Sequence, residues 1–269
     1  AAATGTSASV VADLLAHLAQ VGALGRDDDG YLPTAVSEHY VEEGIAPYMG
    51  IDNAAGTIAR AWWGLEQTVR SGGPGFDSVF GRPFWDEINA TPEMSASFDD
   101  YISRGVAYWA PGLIEFLSGS SRSVADVGGD NGTLLAMLLD AQPDRSGVVV
   151  ELPNSADAAT ALLTLRGLGD RGRGIAGDFL REVPAGYDDY VLAQVLHDWP
   201  DDDAVTILHN CGAAAGETGR VLVVERAAEN GQAVMGLMMA NLFGARERTT
   251  DDYVALAQRA GLRLETRAP

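Results

Sequence analysis

The chain has 269 residues, with 38 acidic against 18 basic side chains, a net charge of −20 and a pI near 4.3. That balance excludes a protein that tracks nucleic-acid phosphates, because such affinity comes mostly from cations neutralising phosphates. Every cation is an arginine, so no lysine is present to act as a base or Schiff-base nucleophile, and a lone cysteine, Cys211, excludes an internal disulfide framework and a CxxC metal site.

At 46% hydrophobic and 21% charged residues the composition is that of a folded globular protein. The longest nearly apolar stretch, residues 233–245, is too short to cross a bilayer, and no basic-then-apolar leader is read. A soluble cytoplasmic protein without membrane or nucleic-acid partners is therefore expected, and the single cysteine fits a reducing compartment.

In residues 7–21, Val10, Val11, Leu14, Leu15, Leu18 and Val21 recur at helical spacing, with Ser7 or Ser9 as N-cap and Gly22 as a stop. The polar turn 26–30 between Leu24 and Tyr31 predicts a short hairpin. Helix then hairpin is the outline of a winged helix, and with one Arg against four Asp and one Glu in residues 1–40 it suits protein contact rather than DNA. Between residues 53 and 117 aromatic residues are dense, which reads mainly as helix packing, a few lining a pocket for a flat ligand. Near residue 118 the pattern changes, which divides the chain into a helical domain 1–118 and an α/β domain 119–269.

The second part alternates strands and helices. Strands are expected at 124–127, 147–152, 173–176, 190–196 and 220–225, and the start of another at 262–264. Helices are expected at 133–139, 157–167, 202–215 and 251–260, with a further helix holding Met235 to Leu242. This order implies a mainly parallel, doubly wound sheet whose ligands bind at the carboxyl ends of its strands.

At the end of the first of these strands stands Asp126-Val127-Gly128-Gly129-Asp130-Asn131-Gly132, a turn that lets backbone approach a nucleotide. Glu151, 23 positions after Gly128, is placed to accept both ribose hydroxyls. The dinucleotide fingerprint fails, because Asp130 and Thr133 stand where its second and third glycines belong. A phosphate-free, cationic adenosine ligand, S-adenosylmethionine, fits this acidic loop better than NAD. After the third strand, Gly177-Asp178-Phe179 offers a carboxylate for an adenine amino group and a ring to pack on it. After the fourth, Val195-Leu196-His197-Asp198-Trp199 puts a histidine at the same edge. His17, His39 and His209 read as structural or solvated.

These segments resemble the S-adenosylmethionine-dependent small-molecule O-methyltransferases, which join a winged-helix dimerisation domain to a Rossmann-like catalytic domain. DVGGDNG (126–132), ELP (151–153), GDF (177–179), VLHDWPDDD (195–203), VVER (223–226) and ARERT (245–249) recur in that family's order. VRSGGPGFDSVFGRPFWD (69–86) points to the bacterial natural-product branch. The sequence departs from the pattern at Asp130, where a third glycine is usual, and at Ala193, where a basic residue is usual.

The resemblance implies methylation of a phenolic hydroxyl on an aromatic, polyketide-type product, with His197 as general base and Glu225 and Glu247 flanking it. It implies a cofactor site made by Asp126, Gly128, Gly129, Gly132, Glu151, Leu152, Gly177, Asp178, Phe179 and Gln194, with no metal. Trp109, Asp198, Trp199, Met238 and Asn241 are expected on the acceptor side, and a homodimer through the N-terminal domain. A member diverged to hydroxylation or decarboxylation, a non-catalytic winged-helix sensor and an NAD oxidoreductase are the competing readings; retention of His197, Glu225 and Glu247 favours methyl transfer.

Overall fold

The computed structural model describes residues 4–42, 50–119, 122–230 and 233–266. It divides into two units, residues 1–56 and 57–269. In the first, helix α1 (Ala8–Gln20) leads into an antiparallel hairpin of β1 (Leu24–Asp27) and β2 (Gly30–Pro33), followed by α2 (Ala35–Glu42). The hairpin turns because Asp27 Oδ1 accepts the N–H groups of Asp29 and Gly30. Thr34 Oγ1 donates to the carbonyls of Gly22 and Ala23, tying its far end to the end of α1. The expected helix-and-hairpin outline is present. Val10 is 65% exposed and Leu14 54%, so α1 shows apolar surface.

The second unit opens with α3 (Ala54–Ala61), which carries the chain across from the first, then α4 (Leu65–Ser71), α5 (Phe76–Phe80), α6 (Phe84–Ile88) and the long α7 (Pro92–Phe116). Thr91 caps α7 by accepting the N–H of Met94, and Pro92 occupies the first turn, where its missing N–H costs nothing. Phe84 sits among Phe76, Trp85, Phe98 and Phe243 with ring centroids 4.9–5.8 Å apart in edge-to-face arrangement, so most of the aromatic density is packing, as read from sequence.

Beyond α7 the strands β3 (Ser123–Val127), β4 (Ser146–Glu151), β5 (Gly172–Ala176), β6 (Asp189–Ala193) and β7 (Arg220–Val224) form one parallel sheet in the order β5-β4-β3-β6-β7. The connecting helices are α8 (Thr133–Ala141), α9 (Pro153–Leu165) and α10 (Asp201–Ala215); α11 (Ala233–Phe243) and α12 (Thr250–Arg259) follow β7. Apolar runs on β3, β4 and β6 are buried throughout, against α10 and α12 on one side and α7 and α8 on the other. The order reverses between β3 and β6, where doubly wound sheets open a crevice for ligands. The fold is the expected Rossmann-like α/β architecture.

Three local readings change. Residues 262–264 form no strand; Leu262 instead lays its side chain against Gly212 of α10 and joins the core. β6 stops at Ala193 because Gln194 turns out of the sheet at φ 58. And α9 begins at Pro153, four residues before the expected start, proline being well suited to a first helical position. Among the described residues no helix is long and apolar enough to cross a membrane.

Candidate active site

The loops after β3, β4, β5, β6 and β7 all leave the same edge of the sheet. The glycine-rich loop after β3 needs glycine for two reasons. Gly128 and Gly132 have φ of 73° and 80°, in the left-handed region. A Cβ on Gly128 would also stand 2.8 Å from Val195 and 3.7 Å from the Phe179 ring, so the loop, Phe179 and the start of the His197 turn meet there.

Acidic groups crowd this loop. Burial pushes the Asp126 carboxyl up to about 7, the charge of Glu151 adding to it. Asp130, left-handed at φ 50, is raised well above the usual carboxylate range by burial first, then by Asp99 and Glu151. Glu151 is raised by burial, against hydrogen bonds from the N–H groups of Leu152 and Asp130. Such a cluster, with a buried Asp130 Oδ2 lacking a hydrogen-bond partner, fits a cationic ligand and opposes a phosphate. Asp99, hydrogen-bonded to Asp130, escaped the sequence reading because it lies on α7, remote in the chain. Ser103, one turn further along α7, bonds Asn131 and Thr133 and anchors that helix over the loop.

On the other side of the β3/β6 crevice, Gln194 leaves β6 and Leu196–Asp198 make a single 3₁₀ turn. Its His197 ring is held among three carboxylates. Nδ1 is 3.2 Å from Glu225 Oε2 and 3.8 Å from Glu247 Oε1, and Nε2 is 3.3 Å from Asp198 Oδ1. Burial alone would lower the histidine, but Asp198, Glu225 and Glu247 outweigh it and raise it to about 9. Asp198 is pushed up to about 7 by burial against the pull of His197, and burial likewise raises Glu247.

The remaining expected residues divide. Phe179 packs edge-to-face on Trp199 with centroids 5.6 Å apart, and Asn210 holds the Phe179 carbonyl. Asp178 stays near the surface, its Oδ1 accepting the Leu180 N–H; Leu152 is exposed, and Gly177 pairs with the Glu151 carbonyl. Met238 is half-buried on α11. Trp109 and Asn241, also expected on the acceptor side, stand in packed surroundings. Trp109 packs into the apolar cluster between α7 and the sheet, as its place among Val106, Ala110 and Leu113 dictates. Asn241 is buried with its amide committed, Oδ1 accepting from Thr68 Oγ1 at 2.8 Å and Nδ2 donating to the Ala61 carbonyl at 2.7 Å. No group of three or more His, Cys, Asp or Glu side chains arranged to hold a metal occurs among the described residues.

A family model described as an O-methyltransferase domain matches residues 62–263. The chain belongs to this O-methyltransferase family. It is 36% identical to 2,7-dihydroxy-5-methyl-1-naphthoate 7-O-methyltransferase of Streptomyces carzinostaticus, the match covering 100% of this chain and 83% of that protein. It is 34% identical to aclacinomycin 10-hydroxylase of Streptomyces purpurascens, over 97% of this chain and 74% of that one. A crystal structure of an O-methyltransferase from neocarzinostatin biosynthesis, in complex with S-adenosyl-L-homocysteine and 1,4-dihydroxy-2-naphthoic acid, superposes with a TM-score of 0.92. Its identity is 35%, covering 98% of this chain and 83% of that one. The methyltransferase assignment made from the motif order is thereby shown, and with it the Rossmann-like catalytic fold.

Proposed function

We propose that this methyltransferase moves the methyl group of S-adenosylmethionine to a phenolic hydroxyl of an aromatic natural product, with His197 as general base. The observation that carries this reading is the His197 ring fixed among Asp198, Glu225 and Glu247, across the crevice from the acidic glycine loop. Bound there, the cofactor supplies a methyl group activated by its sulfonium sulfur. Its positive charge suits a site where Asp126, Asp130 and Glu151 are crowded. Gly128, Gly129 and Gly132 admit its methionine part, Glu151 with Leu152 takes the ribose, and Gly177, Asp178 and Phe179 take the adenine, with Gln194 shaping the turn between.

Glu225 and Glu247 face Nδ1 of His197. Nε2, which in the ligand-free site faces Asp198 Oδ1 at 3.3 Å, turns to the acceptor and takes the phenol proton as the O–CH₃ bond forms and the S–CH₃ bond breaks. The balance is one aryl methyl ether, S-adenosylhomocysteine and a proton on His197. Against a phenol of pKa about 10, an unperturbed histidine faces a deficit of about 3.5 units, or about 5 kcal/mol. Raised to about 9, His197 faces roughly one unit, about 1.4 kcal/mol. Asp198, Trp199 and Met238 border the acceptor. The N-terminal region, residues 1–118, supplies the homodimer contact, in keeping with the apolar surface on α1.

Incubation with methyl-labelled S-adenosylmethionine and a panel of naphthols, hydroxynaphthoates and polyketide phenols tests the reading. A labelled ether identified by mass supports it. Absence of label from every phenol, or oxygen gained in place of a methyl group, would overturn it in favour of a diverged activity like that named for the hydroxylase relative.

A further inference from the structure

The turn that carries His197 is one 3₁₀ turn long, too short to hold its own orientation. Two buried charged side chains bind its backbone, one at N–H groups and one at carbonyls. Glu225 Oε1 accepts the N–H groups of Val195 at 3.0 Å and Leu196 at 2.7 Å. The Arg248 guanidinium donates from Nη1 to the Leu196 carbonyl at 2.6 Å and from Nη2 to the Trp199 carbonyl at 2.8 Å. Its Nε and Nη2 also bond Asp201 Oδ1, at 3.1 and 2.7 Å, which fixes the start of α10 to the same fork.

Arg248 is 0% exposed. A buried guanidinium is tolerated only where its donors and charge are met, and here they are spent on backbone at both ends of the His197 turn. The Leu196 carbonyl belongs to the peptide bond that enters His197, so the clamp acts on that residue's own backbone. Arg248 also follows Glu247, and one short segment thus brings both an acid to the imidazole and a clamp to its turn. A lysine could offer the charge but not two aligned donors to carbonyls on either side of the histidine.

We propose that Arg248 is a positioning residue for methyl transfer: it holds the Leu196–Trp199 backbone so that His197 stays aligned with the acceptor oxygen, without itself touching acceptor or cofactor. This rests on His197 acting as the base. Displacement of a reacting group by about 1 Å can cost about 100-fold in rate.

The test is a double-mutant cycle on the full chain, with Arg248→Lys made alone and with His197→Ala. Arg248→Lys is expected to lower kcat about 10- to 100-fold with the acceptor KM and the S-adenosylmethionine Kd within about twofold, and to cause no further loss when His197 is already alanine. Asp201→Asn, which removes the fork's anionic partner and leaves the arginine, gives a smaller loss with the same dependence on His197, and covers the case of an unstable lysine variant. Equal fractional losses in both backgrounds, or an unchanged kcat in a folded Arg248→Lys enzyme, would overturn the positioning role. An undiminished rate for His197→Ala alone instead overturns the base reading beneath it.

Discussion

The carboxylate of Glu225 reaches His197 by two routes: Oε2 lies 3.2 Å from Nδ1, while Oε1 accepts the N–H of Leu196, the residue before it. One side chain at the end of β7 therefore sets both the charge environment and the backbone of the histidine at the end of β6. Two adjacent parallel strands make this possible, because their ends stand side by side at the sheet edge. Glu225→Gln preserves an acceptor for the Leu196 N–H and removes the charge. The free-enzyme pKa of His197 is then expected to fall toward neutrality. Titration of the ring by NMR in the apo protein checks this; an unchanged titration would show that Asp198 and Glu247 alone hold the imidazolium.

The raised histidine fixes the pH dependence. A base is active when unprotonated, so with His197 near 9 the apparent kcat/KM for an un-ionised phenol rises about tenfold per pH unit from 6 until about pH 9. Phenol ionisation near 10 bends the profile beyond that. Measurement of kcat/KM from pH 6 to 10 should show this limb in the wild type. A flat profile through pH 7 to 9 would mean that the imidazolium loses its proton far more readily than its three carboxylates imply.

His197→Ala tests the same residue by deletion. General-base assistance is worth about 10² to 10⁴ in rate, so kcat should fall by that order for a phenol of ordinary acidity. Calorimetry should find S-adenosylmethionine affinity nearly unchanged, because the glycine loop, Glu151 and Phe179 are untouched. An acceptor already ionised at neutral pH should be much less sensitive. Equal rates for mutant and wild type with an un-ionised phenol would remove His197 from the mechanism.

Much of the fold and of the glycine loop is legible in the sequence. The apolar runs of β3, β4 and β6 are nearly continuous because both faces of a parallel sheet are covered, and glycine at 128 and 132 marks left-handed turns that side chains resist. What escaped depends on distance along the chain. Arg248 reaches the Leu196 carbonyl across 52 positions, and Asn241 reaches Ala61 across 180, pairings that no local pattern encodes. Sequence shows neither the Thr68 and Ala61 partners of Asn241 nor the apolar cluster against which Trp109 packs. The strand expected at 262–264 failed because alternation shows apolar spacing, not whether a neighbouring strand is free to pair.

Asp126 makes acidity a stability variable. Its carboxyl is raised to about 7 in the folded protein, against an ordinary value of 3.8. Between those values the folded state keeps a proton that the unfolded chain releases, so stability falls as pH rises from about 4 to 7. Three units correspond to at most about 4 kcal/mol. Asp126→Asn carries no such proton, and urea unfolding of the apo proteins should show the difference between variant and wild type growing across that window. A difference constant with pH would mean that Asp126 ionises normally in its buried place.

Asp130→Gly separates fold from cofactor in the glycine loop. The wild-type residue adopts φ 50 and places a buried carboxyl beside Asp99 and Glu151, which repel it. Glycine takes the left-handed conformation freely, which is worth about 1 kcal/mol, and removes that carboxyl. The apo variant should melt several degrees higher, and the gain should be larger at pH 8 than at pH 5. Burial and its acidic neighbours raise the Asp130 carboxyl well above the usual carboxylate range, so it carries less charge at the lower pH and less repulsion is there to relieve. The same change takes an anion away from a site for a cationic ligand, so S-adenosylmethionine should bind more weakly while the protein becomes more stable. Opposite signs in melting temperature and affinity are thus the expected signature. A variant less stable at both pH values would show that the Asp99 to Asp130 hydrogen bond outweighs the repulsion and the backbone conformation together.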